Sequence, residues 1–354
     1  MMTKIFHIRS SDIEIKKVKE AAQIILNNGI VAFPTETVYG LGANGLEEEA
    51  VKKIFVAKGR PSDNPLILHI SSLEMLTMLV EEIPPKAQLL TEKLWPGPLT
   101  LVFKKSKLVP SCITAGLNTV AIRMPSNPIA QSLIREAKVP IAAPSANISG
   151  RPSTTKAEHV IEDLYGKVEG IIVSDDSTIG LESTVLDITE DTPILLRPGK
   201  ITIEQLEDII GQVQVDQGIY QQFEVGKAKS PGMKYKHYAP AAPIKIFKGD
   251  AQQVVEKINT LSETYQRQGK IVGILSTDES EKSYKGNKII SMGQRSKPKN
   301  IMTNLFDCLR EFDKHHVDII LSEGFSDKGM ELAISNRLNK AAGFDITIVE
   351  PSGE

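Results

Sequence analysis

The spacing of apolar residues predicts alternating helices and strands over the first 210 residues. In the segment 13–28, Val18, Ala21 and Ile25 recur at helical spacing, and the apolar run 30–33 that follows is typical of a buried strand. Further strands are predicted at 66–70, 99–103, 119–124, 139–143, 171–174, 184–188 and 193–197. Further helices are predicted at 47–57, 72–82, 85–94, 128–137, 156–165 and 202–210. This mixture favours an α/β sheet domain.

The pattern stops in the stretch 212–242, which is polar, contains glycine and proline, and shows no periodicity. A segment of that length without its own elements is typical of a linker or a functional loop. The pattern then restarts, with strands predicted at 244–248, 271–275, 288–290, 317–321 and 345–349 and helices at 251–268, 301–315 and 329–341. We therefore predict an α/β domain over 1–211, a linker over 212–242 and a smaller Rossmann-like α/β domain over 243–354.

Composition narrows the class of protein. The 354 residues carry a formal net charge of −2, so no global basic field indicates a nucleic-acid clamp. The two cysteines, Cys112 and Cys308, lie far apart, which disfavours a disulfide framework and a cysteine zinc site and favours a reducing compartment. Because no apolar run reaches the roughly 18 residues of a membrane span, we expect a cytoplasmic protein without membrane contact.

One candidate binding loop is AKGRPSDNPL at 57–66. Lys58 and Arg60 follow a predicted helix, where cations complement the helix dipole. Prolines follow both Arg60 and Asn64, which restricts the loop to an extended form. A rigid loop with these side chains also suits a polyphosphate, since arginine offers a fork and lysine a point charge. The residues alone leave both interpretations open.

A second candidate loop is PSANISGRPS at 144–153, directly after a predicted strand. Ligands of α/β sheets bind at the carboxyl ends of strands, although the same hydroxyls would also suit a turn that caps the next helix. Ser145 does not lie in a GxSxG sequence, which disfavours it as an acyl nucleophile.

The glycines of GLGANG at 40–45 match a GxGxxG string. Dinucleotide binding requires a tight strand-to-glycine turn and an acid at the end of the next strand. Here PTETVY intervenes, and the strand 66–70 ends without an acid. We therefore expect the glycines to shape a turn, or the hydroxyls of PTETVYGLG to line a pocket. No Gly-Lys pair is followed by serine or threonine, so the chain has no Walker A loop.

Two polar residues interrupt predicted strands. Arg123 lies inside VAIRM and, if buried, needs an anionic partner or ligand. His69 ends a strand, where a lone histidine is more often structural than catalytic. No group of histidines and acids has metal-ligand spacing, so we expect no metal ligand from the protein.

Taken in order, several strings resemble the threonylcarbamoyl-AMP synthases, the YrdC-type family. The strings are PTETVYGLG (34–42), KGRP (58–61), NPL (64–66), WPGPLT (95–100), AIRMP (121–125), PSANISG (144–150), ESTV (182–185) and RPG (197–199). SPGMKYKHYAP at 230–240 is similar to the linker of the long, two-domain form. The resemblance implies a YrdC-like N-terminal domain, in which helices flank a twisted mixed sheet.

The resemblance also implies the reaction: L-threonine, bicarbonate and ATP give L-threonylcarbamoyl-AMP, diphosphate and water. The product supplies the threonylcarbamoyladenosine at position 37 of tRNA, and a downstream threonylcarbamoyl transferase complex acts on the tRNA. Direct tRNA binding by this chain is possible but not required. Mg²⁺ is expected with ATP, held by phosphates and water.

Site residues follow from the same resemblance. Lys58 and Arg60 are the expected catalytic residues. The expected ATP contacts are Lys58, Arg60, Asn64, Thr119, Ser145, Asn147, Ser153, Arg197 and Tyr238. The expected threonine contacts are Thr35, Thr37, His69, Arg123, Ala143 and Ser183, with Arg123 pairing the carboxylate. Tyr235, His237 and Tyr238 of the linker are expected to close over the site.

Three other classes of protein fit the sequence less well. An RNA-binding module is disfavoured by the near-neutral charge. A carbamoyl-phosphate-dependent maturation enzyme would need cysteines and length that the chain lacks. A nicotinamide dehydrogenase conflicts with the sequence around the 40–45 glycines.

Overall fold

The computed structural model describes residues 2–221 and 237–350. The chain forms two compact units, the first comprising Met1–Ser149 and Ser153–Lys234 and the second Gly150–Pro152 and Tyr235–Glu354. Within the described ranges, no helix is long and apolar enough to cross a membrane.

The first unit is built on an 11-stranded sheet in the order β1-β8-β2-β3-β7-β4-β6-β5-β9-β10-β11. Its strands are β1 (Lys4–His7), β2 (Val31–Phe33), β3 (Gly40–Asn44), β4 (Ile67–His69), β5 (Leu99–Lys104), β6 (Thr119–Arg123), β7 (Ile141–Ala142), β8 (Gly170–Val173), β9 (Thr184–Asp187), β10 (Ile194–Arg197) and β11 (Gln214–Val215). Parallel pairs such as β4 with β6 alternate with antiparallel pairs such as β5 with β6. The mixed sheet that the sequence predicted is therefore confirmed.

Helices flank this sheet and bury its apolar faces. They are α1 (Ile15–Leu26), α2 (Glu48–Lys58), α3 (Leu73–Leu79), α4 (Pro85–Leu94), α5 (Ser111–Thr114), α6 (Pro128–Ala137), α7 (Ala157–Leu164) and α8 (Ile203–Ile210). Val18 and Ile25 of α1 pack in one buried cluster with Leu133 of α6 and Phe33 of β2. Because Val18, Ala21, Ala22 and Ile25 of α1 recur every three or four positions, they lie on one face of the helix and reach this cluster.

The prediction that the glycines at 40–45 shape a turn is wrong, since Gly40–Asn44 forms the buried strand β3. A Cβ on Gly42 would approach Ile141 Cγ2 and Phe33 Cε1 to 2.7 Å. Glycine is therefore used here for close packing inside a sheet. The strand β1 and the short helix α5 were not predicted, and β11 extends the sheet to Val215, past the boundary expected at 211.

The second unit contains a five-stranded sheet in which every pair is parallel. Its strands are β12 (Ile244–Gly249), β13 (Val272–Ser276), β14 (Lys288–Ser291), β15 (Ile319–Glu323) and β16 (Ile346–Val349), and its helices are α9 (Ala251–Arg267), α10 (Pro298–Lys314) and α11 (Gly329–Ala341). The order is β14-β13-β15-β12-β16. The crossover from β12 to β13 runs in one direction along the sheet, and the crossovers to β15 and β16 run in the other. Right-handed crossovers therefore place α9 on one face and α10 and α11 on the other, as in Rossmann-like folds.

Candidate active site

Lys58 connects the two candidate binding loops, 57–66 and 144–153. It is the last residue of α2, where Gly59 ends the helix in a left-handed conformation, and only 1% of its surface is exposed. The ammonium donates to the backbone carbonyls of Ser145 and Asn147. The Lys58 carbonyl in turn accepts the N–H of Ser149 at 2.9 Å. The lysine thus clamps the loop through both its side chain and its backbone, and we call these contacts the Lys58 clamp.

The extended loop after α2 carries Arg60 and Asn64. Arg60 Nη2 donates to the carbonyl of Pro65 at 3.2 Å, which folds the arginine back over its own loop. Asn64 is 1% exposed, and neither atom of its side-chain amide has a hydrogen-bond partner among the residues that the structure describes. A buried amide without partners is costly, so a polar ligand would stabilise it.

The loop from Ser145 to Ser149 is ordered by its own side chains as well. The Ser145 hydroxyl donates to Asn147 Oδ1 at 2.5 Å, and the N–H of Ile148 donates to Asp163 Oδ2 at 3.0 Å. Asp163 lies on α7 and is 1% exposed. Together with the Lys58 clamp, these bonds connect the loop to α2 and α7.

Arg123 is buried at the end of β6, where three neighbours contact its guanidinium. Its Nη2 lies 2.7 Å from Glu36 Oε1 in an ion pair, and its Nη1 donates to Thr37 Oγ1 at 2.8 Å. Its Nε donates to the carbonyl of Gly97 at 3.3 Å. The sequence correctly indicated that this arginine needs an anionic partner, and the partner is Glu36 from the loop between β2 and β3.

The charge of Arg123 affects the protonation of two neighbouring residues, Glu36 and His69. Burial raises the pKa of the Glu36 carboxyl, but the charge of Arg123 and the N–H of Ser126 outweigh burial and hold that pKa below its ordinary value. Burial and the positive charge of Arg123 lower the pKa of His69 to about 3. His69 is therefore a neutral imidazole near pH 7, and among the described residues its Nδ1 has no hydrogen-bond partner.

Ser183 and Arg197 form a second buried polar cluster in the sheet. The Ser183 and Thr100 hydroxyls are 2.7 Å apart, and Arg197 Nε donates to the Ser183 carbonyl at 3.0 Å. Gly199 permits this arrangement, because a Cβ there would approach the backbone nitrogen of Thr184 to 2.5 Å. The sequence strings 182–185 and 197–199 are thus brought together, and the assignment of Ser183 to threonine and Arg197 to ATP stays a prediction.

Two of the residues expected at the threonine site, Thr35 and Ala143, make hydrogen bonds to the backbone of their neighbours. The Thr35 hydroxyl donates to the Val38 carbonyl at 2.6 Å and so shapes the turn that presents Thr37. Ala143 follows β7, and its N–H donates to the Ile67 carbonyl at 3.0 Å. These contacts do not test the predicted threonine contacts, which stay predictions.

Ser153 and Thr119 are two further residues of the first unit that are expected to contact ATP. The Ser153 hydroxyl, 1% exposed, donates to Glu182 Oε1 at 2.5 Å. Thr119 begins β6 while Arg123 ends it, so the two lie about 13 Å apart along the strand. A ligand that reaches both must be extended.

Tyr238 belongs to the second unit, where it is buried. Its ring stacks on Phe306 with centroids 5.2 Å apart, and the Arg337 guanidinium lies 5.5 Å from its centroid. The His237 ring lies 5.6 Å from the same ring. Tyr235, the third aromatic residue of the expected lid, lies outside the described residues, so closure of the site stays a prediction.

Three buried acids of this region were not singled out from the sequence. Glu36 pairs with Arg123, Asp163 holds the Ile148 N–H and Glu182 accepts from Ser153. Glu36 and Glu182 lie inside quoted strings, and for Glu36 there was also a physical signal, because a buried arginine requires an acid. Within the described residues, no group of three or more histidines, cysteines or acids could hold a metal ion.

Comparison with protein families covers most of the chain. A family model described as "Telomere recombination", for the Sua5, YciO and YrdC proteins, matches residues 23–199. A second model, described as "Threonylcarbamoyl-AMP synthase, C-terminal domain", matches residues 201–343. The two matches follow the order of the two units.

Relatives and solved structures agree. The chain is 50% identical to the threonylcarbamoyl-AMP synthase of Pyrococcus abyssi over 98% of its own length and 99% of the relative, and 51% identical to that of Bacillus subtilis over 92% and 93%. It is similar to the crystal structure of P. abyssi Sua5 complexed with L-threonine, with a TM-score of 0.93, 49% identity and coverage of 98% of this chain and 100% of that one. The chain therefore belongs to the threonylcarbamoyl-AMP synthase family.

Proposed function

We propose that this chain is an L-threonylcarbamoyladenylate synthase that converts L-threonine, bicarbonate and ATP into L-threonylcarbamoyl-AMP, diphosphate and water. The Lys58 clamp is the observation that supports this most directly. It joins the Lys-x-Arg loop to the Ser-x-Asn loop, and both loops carry residues assigned to ATP from the resemblance. One wall of a pocket is thus made from two segments some 87 residues apart in sequence.

The ATP site is assigned to the loops at 58–64 and 145–153 with Thr119 and Arg197. Among them, Arg60 and Asn64 are placed on the phosphates, because Arg60 offers a planar fork of donors and Asn64 is a buried amide without partners among the described residues. Lys58 is assigned a positioning role, since its ammonium donates to the backbone carbonyls of Ser145 and Asn147. The Tyr238 contact with ATP stays a proposal that rests on resemblance alone.

The threonine site is assigned to the cluster around Arg123. The arginine would pair with the threonine carboxylate while Glu36 holds the guanidinium in place. The neutral imidazole of His69, with an unused Nδ1, is suited to a hydrogen bond with the threonine hydroxyl or amine. Thr37, Ala143 and Ser183 complete the pocket.

The chemistry needs cations and donors but no side-chain nucleophile. The threonine amine and bicarbonate form a carbamate with loss of water, and a carbamate oxygen attacks the α-phosphorus of ATP as diphosphate leaves. Negative charge develops on phosphoryl oxygens, where Arg60 and preorganised backbone donors stabilise it. Mg²⁺ would be held by the triphosphate and water, which agrees with a donor set of cations, amides and hydroxyls at the proposed phosphate site.

Diphosphate release tests this function. Release should require threonine and bicarbonate together, and omission of either should abolish it. Arg60→Ala should abolish release, whereas Lys52→Ala should not, because Lys52 is an exposed cation of α2, the helix before the Arg60 loop, and is paired with Glu48 and Glu49. Diphosphate release that persists without threonine or without bicarbonate would overturn the proposal.

The product defines the next step. A mixed anhydride of a carbamate and AMP is an activated acyl donor, so we propose that a downstream transferase complex passes the threonylcarbamoyl group to adenosine 37 of tRNA in the cytoplasm. Direct tRNA contact by this chain is not required for that step. Closure of the linker over the adenylate would protect it from hydrolysis.

A further inference from the structure

The second unit contains a cavity of about 520 Å³ at the carboxyl edge of its parallel sheet. This volume lies within the range of about 300–1,000 Å³ that small-molecule sites occupy. Its floor is apolar, formed by Phe247 at the end of β12 and by Val254 and Val255 in the first turns of α9. Thr277, Ser280, Glu279, Arg295 and Glu323 supply polar groups on its walls.

The cavity lies at the place where open α/β sheets bind ligands. Strands β12 and β15 are neighbours, yet the chain leaves β12 toward β13 and leaves β15 toward β16, in opposite directions along the sheet. A crevice opens outside the carboxyl ends of two such strands. Gly249 at the end of β12 and Gly324 just after β15 both line the cavity.

A buried carboxylate holds the walls of this cavity together. Glu323 is 5% exposed, and it accepts hydrogen bonds from Thr277 at 3.1 Å, Tyr284 at 2.9 Å, Arg295 at 2.8 Å and the Ser280 hydroxyl. These four partners come from the loops after β13 and β14. Burying a carboxylate is costly, and here it produces a preorganised wall, which is the arrangement expected of a binding site.

The charges at the rim determine which ligands can enter. Asp250 caps α9, and its Oδ1 accepts the N–H groups of Gln252 and Gln253 at 3.0 and 3.3 Å. The helix terminus that would bind a phosphate is therefore already filled by a carboxylate. Glu279, an exposed residue that lines the cavity, adds a second negative charge. Since Arg295 balances the charge of Glu323, Asp250 and Glu279 leave the site net negative, which disfavours phosphates and favours neutral ligands that donate hydrogen bonds.

We propose that this cavity binds a nucleoside without phosphate, with its base on Phe247, Val254 and Val255 and its ribose hydroxyls donating to Glu279. An acid shortly after the second strand of an α/β unit is well placed for a ribose diol. The base meets apolar side chains, and the wall that Glu323 organises offers hydroxyl oxygens as acceptors and the Arg295 guanidinium as a donor for its polar edge.

Methyl NMR on the full chain tests this site separately from the ATP site. With ¹³C-methyl valine and resonances assigned by Val254→Ala and Val255→Ala, adenosine should shift both pairs of methyl signals. AMP should bind at least about tenfold more weakly, because its phosphate meets Asp250 and Glu279. Glu279→Gln should weaken adenosine by about tenfold, the effect of removing a charged hydrogen-bond acceptor.

Val255→Phe provides the matched variant, because it fills the cavity with a side chain of the second unit. It should abolish the adenosine shifts of Val254 while threonine-dependent diphosphate release is unchanged. The proposal is overturned if adenosine leaves the valine methyls unmoved at millimolar concentration, if AMP binds as well as adenosine, or if the filled variant still responds.

Discussion

Glu36 in the first unit and Glu323 in the second are both buried among polar groups, but their carboxylates differ in how many hydrogen bonds they accept. Glu323 in the second unit has both oxygens occupied by four donors. Glu36 in the first unit pairs through Oε1 with Arg123 and Ser126, while Oε2 has no partner among the described residues. Each unsatisfied buried group costs about 1–3 kcal/mol. The first unit therefore retains hydrogen-bonding capacity that a polar substrate can use.

This difference separates two uses of a buried charge. A saturated carboxylate fixes the shape of a wall, whereas a partly satisfied one, close to the neutral His69, can accept a further hydrogen bond. The comparison predicts that changes around Glu36 should affect both stability and catalysis. Changes around Glu323 should affect stability and leave catalysis unchanged.

Removal of Arg123, the cation that pairs with Glu36, should have the largest effect on stability. Arg123→Met is expected to lower the free energy of unfolding by about 3–5 kcal/mol, because it leaves Glu36 buried without a cation. Urea unfolding measures this. Lys4→Met is the matched control, since Lys4 and Glu20 also lie 2.7 Å apart but on the surface, and its cost should stay below about 1 kcal/mol. Equal costs for the two variants would show that burial of the Arg123 pair does not matter.

Loss of the Lys58 clamp should reduce turnover next. Lys58→Met is expected to lower kcat by about 100-fold, the effect of misplacing catalytic groups by roughly an ångström. KM for threonine should stay near the wild-type value, and Lys52→Met should behave as wild type. If Lys58→Met raises KM for ATP and leaves kcat unchanged, the lysine binds phosphate and does not position the loop.

His69 should make the protein sensitive to mild acid. Its pKa is about 3 in the folded state and near 6.5 in the unfolded chain, so below pH 6.5 the unfolded chain binds a proton that the folded protein excludes. Stability therefore falls as pH falls from 6.5 toward 3, by about 2 kcal/mol between pH 7 and pH 5. Urea unfolding at both pH values, compared with His69→Gln, isolates this contribution. An identical pH dependence in the variant would contradict the assignment.

Substitution of one threonine near each glutamate, Thr37 or Thr277, should give the smallest change in stability. Thr37→Val removes an acceptor of Arg123, and Thr277→Val removes a donor to Glu323. Each should cost about 1–2 kcal/mol in urea unfolding. Thr37→Val should also weaken threonine-dependent diphosphate release, whereas Thr277→Val should leave it unchanged. Equal losses of release would remove the functional distinction between the two glutamates.

The sequence predicted the elements whose signal is local. Helices such as α1 and buried strands such as β6 carry enough apolar side chains to reveal their period. Strand β3 was missed because three of its five positions are glycine or alanine, which leave no alternating pattern. Its strand character comes from the neighbours that pack on it, and that information lies elsewhere in the chain.

The candidate site was predictable in part for a similar reason. Arg123 and the two loops stand out because charged and hydroxyl side chains are visible in the sequence. Their partners are less visible, since Lys58 donates to backbone carbonyls, which every residue has, and Arg123 reaches Thr37 across 86 residues. Contacts of that kind depend on the folded sheet.

Gly199 limits which sequences can keep the Ser183 cluster. Any side chain there would push a carbon to within 2.5 Å of the Thr184 backbone nitrogen, which real structures do not allow. In a library with all amino acids at 199, selection for diphosphate release should retain glycine almost alone, even though this residue has no side chain to contact a substrate. Tolerance to substitution would then identify a steric boundary of the active site that a search for reactive groups would overlook.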